Sequence, residues 1–288
     1  MLKAYPQKTL KRKLLCIYVF VRQIISSLFR SRKELLKLDA KDFWLRELSD
    51  ENHHFVFWST VEGRNRCYVH SYKYGEMISF SKIAYDGPSL LLSNECECLR
   101  KLSLRDNNFN IPEVLNFIEK PEYAKLTMTS MPKRLKLYHP DSQLFPRSLD
   151  LCGGKAEESS IHDLWYVKKF LVDDLRFLNC CRRIRGYPKN EKLKIGFQHG
   201  DFGSENLYYS DRDSFYVIDW ERASTDLPLG IDEVSFLLGK YHAEILGEKG
   251  GLEMFLNAAG VFEKKVLFFS LICLHRFGFN LSTKVLEK

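Results

Sequence analysis

The most constraining feature of the chain is one stretch, Gln198 to Ala223, which reads QHGDFGSENLYYSDRDSFYVIDWERA. NLYYS, the turn DRDS and FYVIDW read as a β-hairpin, because two short runs rich in aromatic and β-branched residues flank a cluster of Asp and Ser. Alternation along the second strand predicts Phe215, Val217 and Asp219 on one face and Tyr216, Ile218 and Trp220 on the other. Asp201 and Asn206 stand at opposite ends of the loop before the first strand, and Asp219 ends the second. The hairpin therefore brings three oxygen-bearing side chains toward one spot. Phosphoryl transfer asks little covalent chemistry of a protein, but it needs a base to orient the attacking hydroxyl and hard oxygen ligands for Mg²⁺.

HGDFGSEN followed by VIDW resembles the HxDxxxxN and IDW or IDF motifs of the aminoglycoside phosphotransferase and choline kinase superfamily, relatives of the protein kinases. The resemblance runs over about residues 52 to 280 and is strongest from 196 to 235. It implies an α+β, bilobal protein-kinase-like fold, with a small sheet-rich N-terminal lobe over residues 41–132 and a larger, mainly helical C-terminal lobe over 133–288. It also implies that Asp201 is the catalytic base, that Asn206 and Asp219 hold magnesium, and that His199 braces the catalytic loop from inside. Asp232, in PLGID, would tie that loop to the helices that follow.

The same resemblance assigns roles in the first half. Lys82, in ISFSKIA, would hold the ATP phosphates and Glu95, rather than Glu97, would hold Lys82. EGRNRCYV resembles the family's GxxNxxYxV phosphate-covering turn through Gly63 and Asn65, although it carries one glycine. MTSMP would be the hinge, where the backbone of Thr129 to Met131 pairs with an adenine edge. The implied cofactors are ATP, with GTP as the open alternative, and Mg²⁺. Twelve residues separate Asp219 from Asp232. A protein kinase places a longer peptide-docking segment there, so the short gap favours a small-molecule, sugar or glycan hydroxyl as acceptor. A kinase-like protein that binds without catalysis, or an adaptor, is the alternative reading.

Residue patterns fill in the remaining elements. Phe55 to Ala84 reads as a three-stranded antiparallel meander punctuated by Gly63 and Gly75. Leu92, Cys96, Leu99 and Leu102 recur at helical spacing after Ser89 and Ser93, either of which can cap the helix. IPEVLNF and YAKLTMTSMP read as two further strands. The apolar positions from Ile161 to Leu178 predict one long helix over Ser159 to Arg185, and the chain from Ile231 onward reads as helical.

The net charge of +7 is concentrated in residues 1–37, where ten lysines and arginines stand against the single acid Glu34. The rest of the chain is slightly acidic, which argues against a nucleic-acid partner. Residues 1–40 read as a basic, apolar helical segment. Its run from Leu14 to Phe29 is interrupted by Arg22 and Gln23 and is too short to span a bilayer, so it suits either peripheral membrane contact or packing on the body. The eight cysteines form no CxxC pair, which fits a cytoplasmic location, with the membrane face as the place for the tail.

Overall fold

The computed structural model describes residues 53–58, 66–85, 89–132, 135–138, 156–210, 214–246, 251–279, 281 and 283–286. Gly63, Asn65 and the basic tail lie outside these residues. The chain divides at His54, and Phe55–Lys288 forms one compact unit. Among the described residues, no helix is long and apolar enough to cross a membrane.

The architecture is α+β. Its first sheet holds β1 (His53–Trp58), β2 (Arg66–Lys73), β3 (Glu76–Tyr85), β5 (Val114–Glu119) and β6 (Tyr123–Thr129), in the order β1-β2-β3-β6-β5. The hairpin β2–β3 turns on Tyr74 and Gly75, both at positive φ. Between β3 and β5 the chain forms α1 (Leu90–Leu102) and the two-residue strand β4 (Phe109–Asn110). Ser89 caps α1, its hydroxyl accepting from the Leu92 amide at 3.4 Å. The helix buries Leu92, Cys96, Leu99 and Leu102, the stripe expected from the spacing.

A second sheet, ordered β4-β11-β10-β7, joins this half to the next through β7 (Lys136–Leu137), β10 (Leu207–Tyr209) and β11 (Phe215–Val217). The expected hairpin is the antiparallel pair β10–β11, with Leu207 opposite Val217. A third sheet places β9 (Lys192–Gln198) between β8 (Glu157–Ser160) and β12 (Ser224–Pro228). Helices follow: α2 (Trp165–Asp173) and α3 (Leu178–Gly186) precede β9, while α4 (Ile231–Leu246), α5 (Gly251–Ala259), α6 (Lys264–Arg276) and α7 (Thr283–Leu286) close the chain.

Two expectations are corrected. The long helix over Ser159–Arg185 is instead a strand, a 3-10 turn at Ile161–Asp163 and two helices. Ser159 and Ser160 pair with β9, so sheet pairing overrides the apolar period there. The break between α2 and α3 falls at Asp174, which is buried and accepts hydrogen bonds from His275 and Arg276 of α6. The alternation along FYVIDW also stops early. β11 ends at Val217, Tyr216 and Val217 are both buried, and Asp219 sits in the left-handed region at φ 68.

Two apolar clusters hold these layers. One lies among the later helices, around Tyr166, Phe170, Val234, Phe255 and Phe269. The other joins α1 and β6 to the stretch from Phe197 to Trp220, packing Leu99, Leu102, Leu126 and Met128 against Phe197, Phe202, Val217 and Trp220. Trp220 is fully buried between Phe109 and Phe197, with ring centroids at 5.7 and 6.0 Å. Truncating such a side chain costs about 3–5 kcal/mol, so the residue after Asp219 anchors the site to the core.

Candidate active site

β9 ends in Gln198 and delivers His199, Gly200 and Asp201 to the mouth of the second cluster. Gly200 is required here: its φ is +80, and a Cβ would meet the Arg222 carbonyl oxygen at 2.6 Å. The turn is held from below by Asp232 in the first turn of α4. Its carboxylate accepts from the backbone N–H of His199 at 2.7 Å and from that of Gly200 at 2.8 Å. Burial pushes the Asp232 carboxyl up to about 7 against the pull of those two N–H groups.

His199 is fully buried. Its Nδ1 accepts from the Asp201 amide at 3.3 Å, which makes Nε2 the donor to the Ile218 carbonyl at 2.9 Å. Burial lowers its pKa to about 4. A neutral imidazole therefore cross-links the loop to the residue before Asp219, as a brace rather than a base.

Asp201 is about one quarter exposed, and its carboxylate pairs with Arg222 at 3.1 Å. Burial raises its pKa to about 6, with Arg222 pulling it back down and Asp219 adding to the rise. Arg222 in turn lies over the rings of Phe277 and Phe279, at 5.6 and 5.8 Å. Asn206 donates from Nδ2 to the Asp201 carbonyl at 2.8 Å, which turns its amide oxygen away from that contact.

From the first half, Lys82 projects from β3 and donates to both Glu95 oxygens at 2.8 Å and to Asp219 Oδ1. Burial would lower the lysine pKa, but Asp219 and Glu95 more than compensate and hold it charged. Burial would raise Asp219, and Lys82 outweighs it, leaving the carboxyl below its ordinary value. Glu95 is pushed up by burial against the pull of Lys82. Glu97 faces solvent and pairs with Lys101, so Glu95 is the glutamate that faces Lys82. Asn94 fixes this end of α1, donating to the carbonyls of Glu221 and Ala223 at 2.9 and 3.0 Å.

The geometry thus brings His199, Asp201, Asn206, Asp219, Lys82 and Glu95 together. Thr129 is different. Its backbone N–H donates to the Glu113 carbonyl at 2.9 Å and its hydroxyl accepts from the Glu113 amide at 2.9 Å, so both groups are engaged with the residue before β5, while Met131 is half-buried.

Sequence reasoning gave no role to three residues that matter. Arg66 on β2 makes a buried ion pair with Glu221 at 2.5 Å, Glu221 lies beside Glu95 and Asp219, and Arg222 holds Asp201. Glu221 and Arg222 sit in the motif itself, so their position was a signal. Nothing in the order of residues pairs Arg66 with a partner 155 positions away.

The oxygens here suit a hard divalent cation. Asp219 keeps Oδ2 beyond its bond to Lys82, Asn206 keeps its amide oxygen, and oxygens of Glu95, Asp219 and Glu221 lie within 4.8 Å of one another.

No protein-family model matches the sequence, and no curated protein matches it. Solved structures do. The aminoglycoside-3'-phosphotransferase of type VIII aligns at 17% identity and a TM-score of 0.46, covering 82% of this chain and 98% of that one. The aminoglycoside phosphotransferase APH(3'')-Id from Streptomyces rimosus aligns at 13% identity and a TM-score of 0.48, covering 82% and 97%. Monomeric WbdD aligns at 16% identity and a TM-score of 0.35, covering 78% of this chain and 48% of that one.

Proposed function

We propose that the chain is a magnesium- and ATP-dependent phosphotransferase that moves the γ-phosphate to a hydroxyl of a small molecule, sugar or glycan/lipid precursor. The observation that carries this reading is the convergence of two separate charge systems. Lys82, held by Glu95 and Asp219, meets the loop that presents Asp201 and Asn206. In this reading Lys82 gives up its bond to Asp219 to take the nucleotide phosphates, while Glu95 keeps the ammonium aimed. Asn206 and Asp219 hold magnesium, which supplies neutralisation of phosphate charge when bound. Asp201 accepts the proton of the acceptor hydroxyl through its carboxylate, and Arg222 keeps that carboxylate ionised and oriented.

The small acceptor is supported by the segment between Asp219 and Asp232. It consists of a 3-10 turn at Trp220–Arg222 and strand β12, which pairs with β9 and buries Leu227 and Pro228. Between Asp219 and Asp232 the chain is thus committed to turn and sheet, which leaves no free stretch there on which a peptide substrate can dock. The basic tail supports a peripheral location on the cytoplasmic membrane face.

The test is nucleotide turnover with Mg²⁺ and a panel of sugars, amino alcohols and aminoglycosides. Acceptor-dependent ADP formation that is lost in Asp201→Asn and in Asp219→Ala is expected. Nucleotide binding with no turnover on any acceptor favours a binding protein instead.

A further inference from the structure

The outer surface of α2 and α3 carries features that neither the core nor the site explains. Val172 is 72% exposed, Leu175 55% and Leu178 57%, three large apolar side chains within seven residues at the joint of the two helices. Scattered exposed leucines are ordinary, but a cluster is a mark of an interaction surface. Basic side chains surround this one: Lys169, Arg176 and Arg182 are all exposed. The only acids between Trp165 and Lys189 are Asp173 and Asp174; both accept from Arg276 of α6, and Asp174 also lies 4.0 Å from Arg176, whose side chain stays 72% exposed. The joint therefore shows solvent an apolar tip in a cationic frame, the arrangement that suits the boundary between anionic headgroups and acyl chains.

The surface also leads to the site. At the start of α2, Trp165 packs on Phe277 with centroids at 5.7 Å, Phe277 lies under Arg222, and Arg222 pairs with Asp201. On the same helix, Lys168, Lys169 and Val172 follow Trp165 at the three- and four-residue steps of one face.

We propose that the α2–α3 joint docks on an anionic phospholipid surface, with Val172, Leu175 and Leu178 entering the headgroup boundary and Lys169, Arg176 and Arg182 meeting lipid phosphates. The docking claim stands on the surface alone. Its corollary, that an acceptor borne by the lipid layer reaches Asp201 past Trp165, rests on the proposed phosphotransferase reading.

The experiment uses the full chain and vesicles of phosphatidylcholine with or without phosphatidylglycerol. Amide hydrogen exchange separates this surface from the basic tail. Anionic vesicles are expected to protect residues 164–186 as well as any protection in residues 1–37. Flotation of Leu175→Asp/Leu178→Asp and of Lys169→Gln/Arg176→Gln/Arg182→Gln should show partitioning reduced at least about tenfold in each. All five positions are exposed, so circular dichroism should be unchanged. Protection confined to residues 1–37, both variants floating like the wild type, or no binding to anionic vesicles would each overturn the proposal. Turnover of a soluble acceptor should be unaffected by either variant, so loss of docking and loss of catalysis are read separately.

Discussion

The loop that carries Asp201 and the assembly around Lys82 meet at Asp219, yet they are built by opposite means. The loop is held by hydrogen bonds to backbone, from Asp232 below and from a neutral His199 beside it. The Lys82 assembly is held by ion pairs among five acidic and basic side chains, Arg66, Lys82, Glu95, Asp219 and Glu221, linked in two buried pairs and one shared aspartate. Backbone hydrogen bonds fix a geometry that no ligand need disturb. Charge pairs can exchange one partner for another, which is what the proposed phosphotransferase reading asks of a region that takes phosphates and a cation. In the proposed reading, positioning falls to the first region and ligand response to the second.

The largest effect should come from the centre of the first region. Asp201→Asn is expected to lower turnover by roughly 10²–10⁴-fold while leaving thermal unfolding within about a degree, since the isosteric amide keeps an oxygen that can accept from Arg222. Steady-state kinetics beside a melting curve checks both halves of that statement.

Removing one member of a buried pair tests the second region through stability. Arg66→Met strands Glu221 and should cost about 3–5 kcal/mol in urea unfolding. Arg66→Met/Glu221→Met should recover much of the loss, because the cost lies in the unpaired charge rather than in the missing bond. A double variant as unstable as the single one would show that the pair is not an independent unit.

Asp232→Ala should cost about 2–4 kcal/mol by leaving two backbone N–H groups without their acceptor. It should also lower turnover, since the loop loses its support. If stability falls and kinetics do not, the loop is held by His199 alone and the contrast between the regions weakens.

The smallest effect is in pH dependence. With Asp201 raised by burial to about 6, a base that must be ionised gives an acid limb in kcat/KM, falling about tenfold per pH unit below that value. Arg222→Gln removes the group that pulls this pKa down, so the limb should move to higher pH.

The hairpin, the α1 stripe and the strands of the first sheet were legible in the sequence because each is decided by neighbours within about ten residues. Asp201, Asn206 and Asp219 were legible for a related reason, lying within one short stretch. Three features were not. The break between α2 and α3 depends on Asp174 meeting α6, about a hundred residues later. The alternation past Val217 fails because Asp219 adopts a left-handed backbone that pattern alone does not announce. The pairs Arg66–Glu221 and Arg222–Asp201 are products of packing: the first spans β2 and the turn after Asp219, and the second closes across the Gly200 bend. The two hydrogen bonds between Thr129 and Glu113 were likewise invisible in the order of residues, because they depend on how β6 meets the residue before β5.

The most direct test of the central claim, that the two regions form one phosphate-transferring site, is ³¹P NMR of ATP and Mg²⁺ mixed with the chain and the acceptor panel. Wild type and Asp201→Asn should perturb the nucleotide resonances alike, and only the wild type should go on to yield ADP and a new phosphomonoester signal. Product from both proteins, or no perturbation of the nucleotide by either, would contradict that claim.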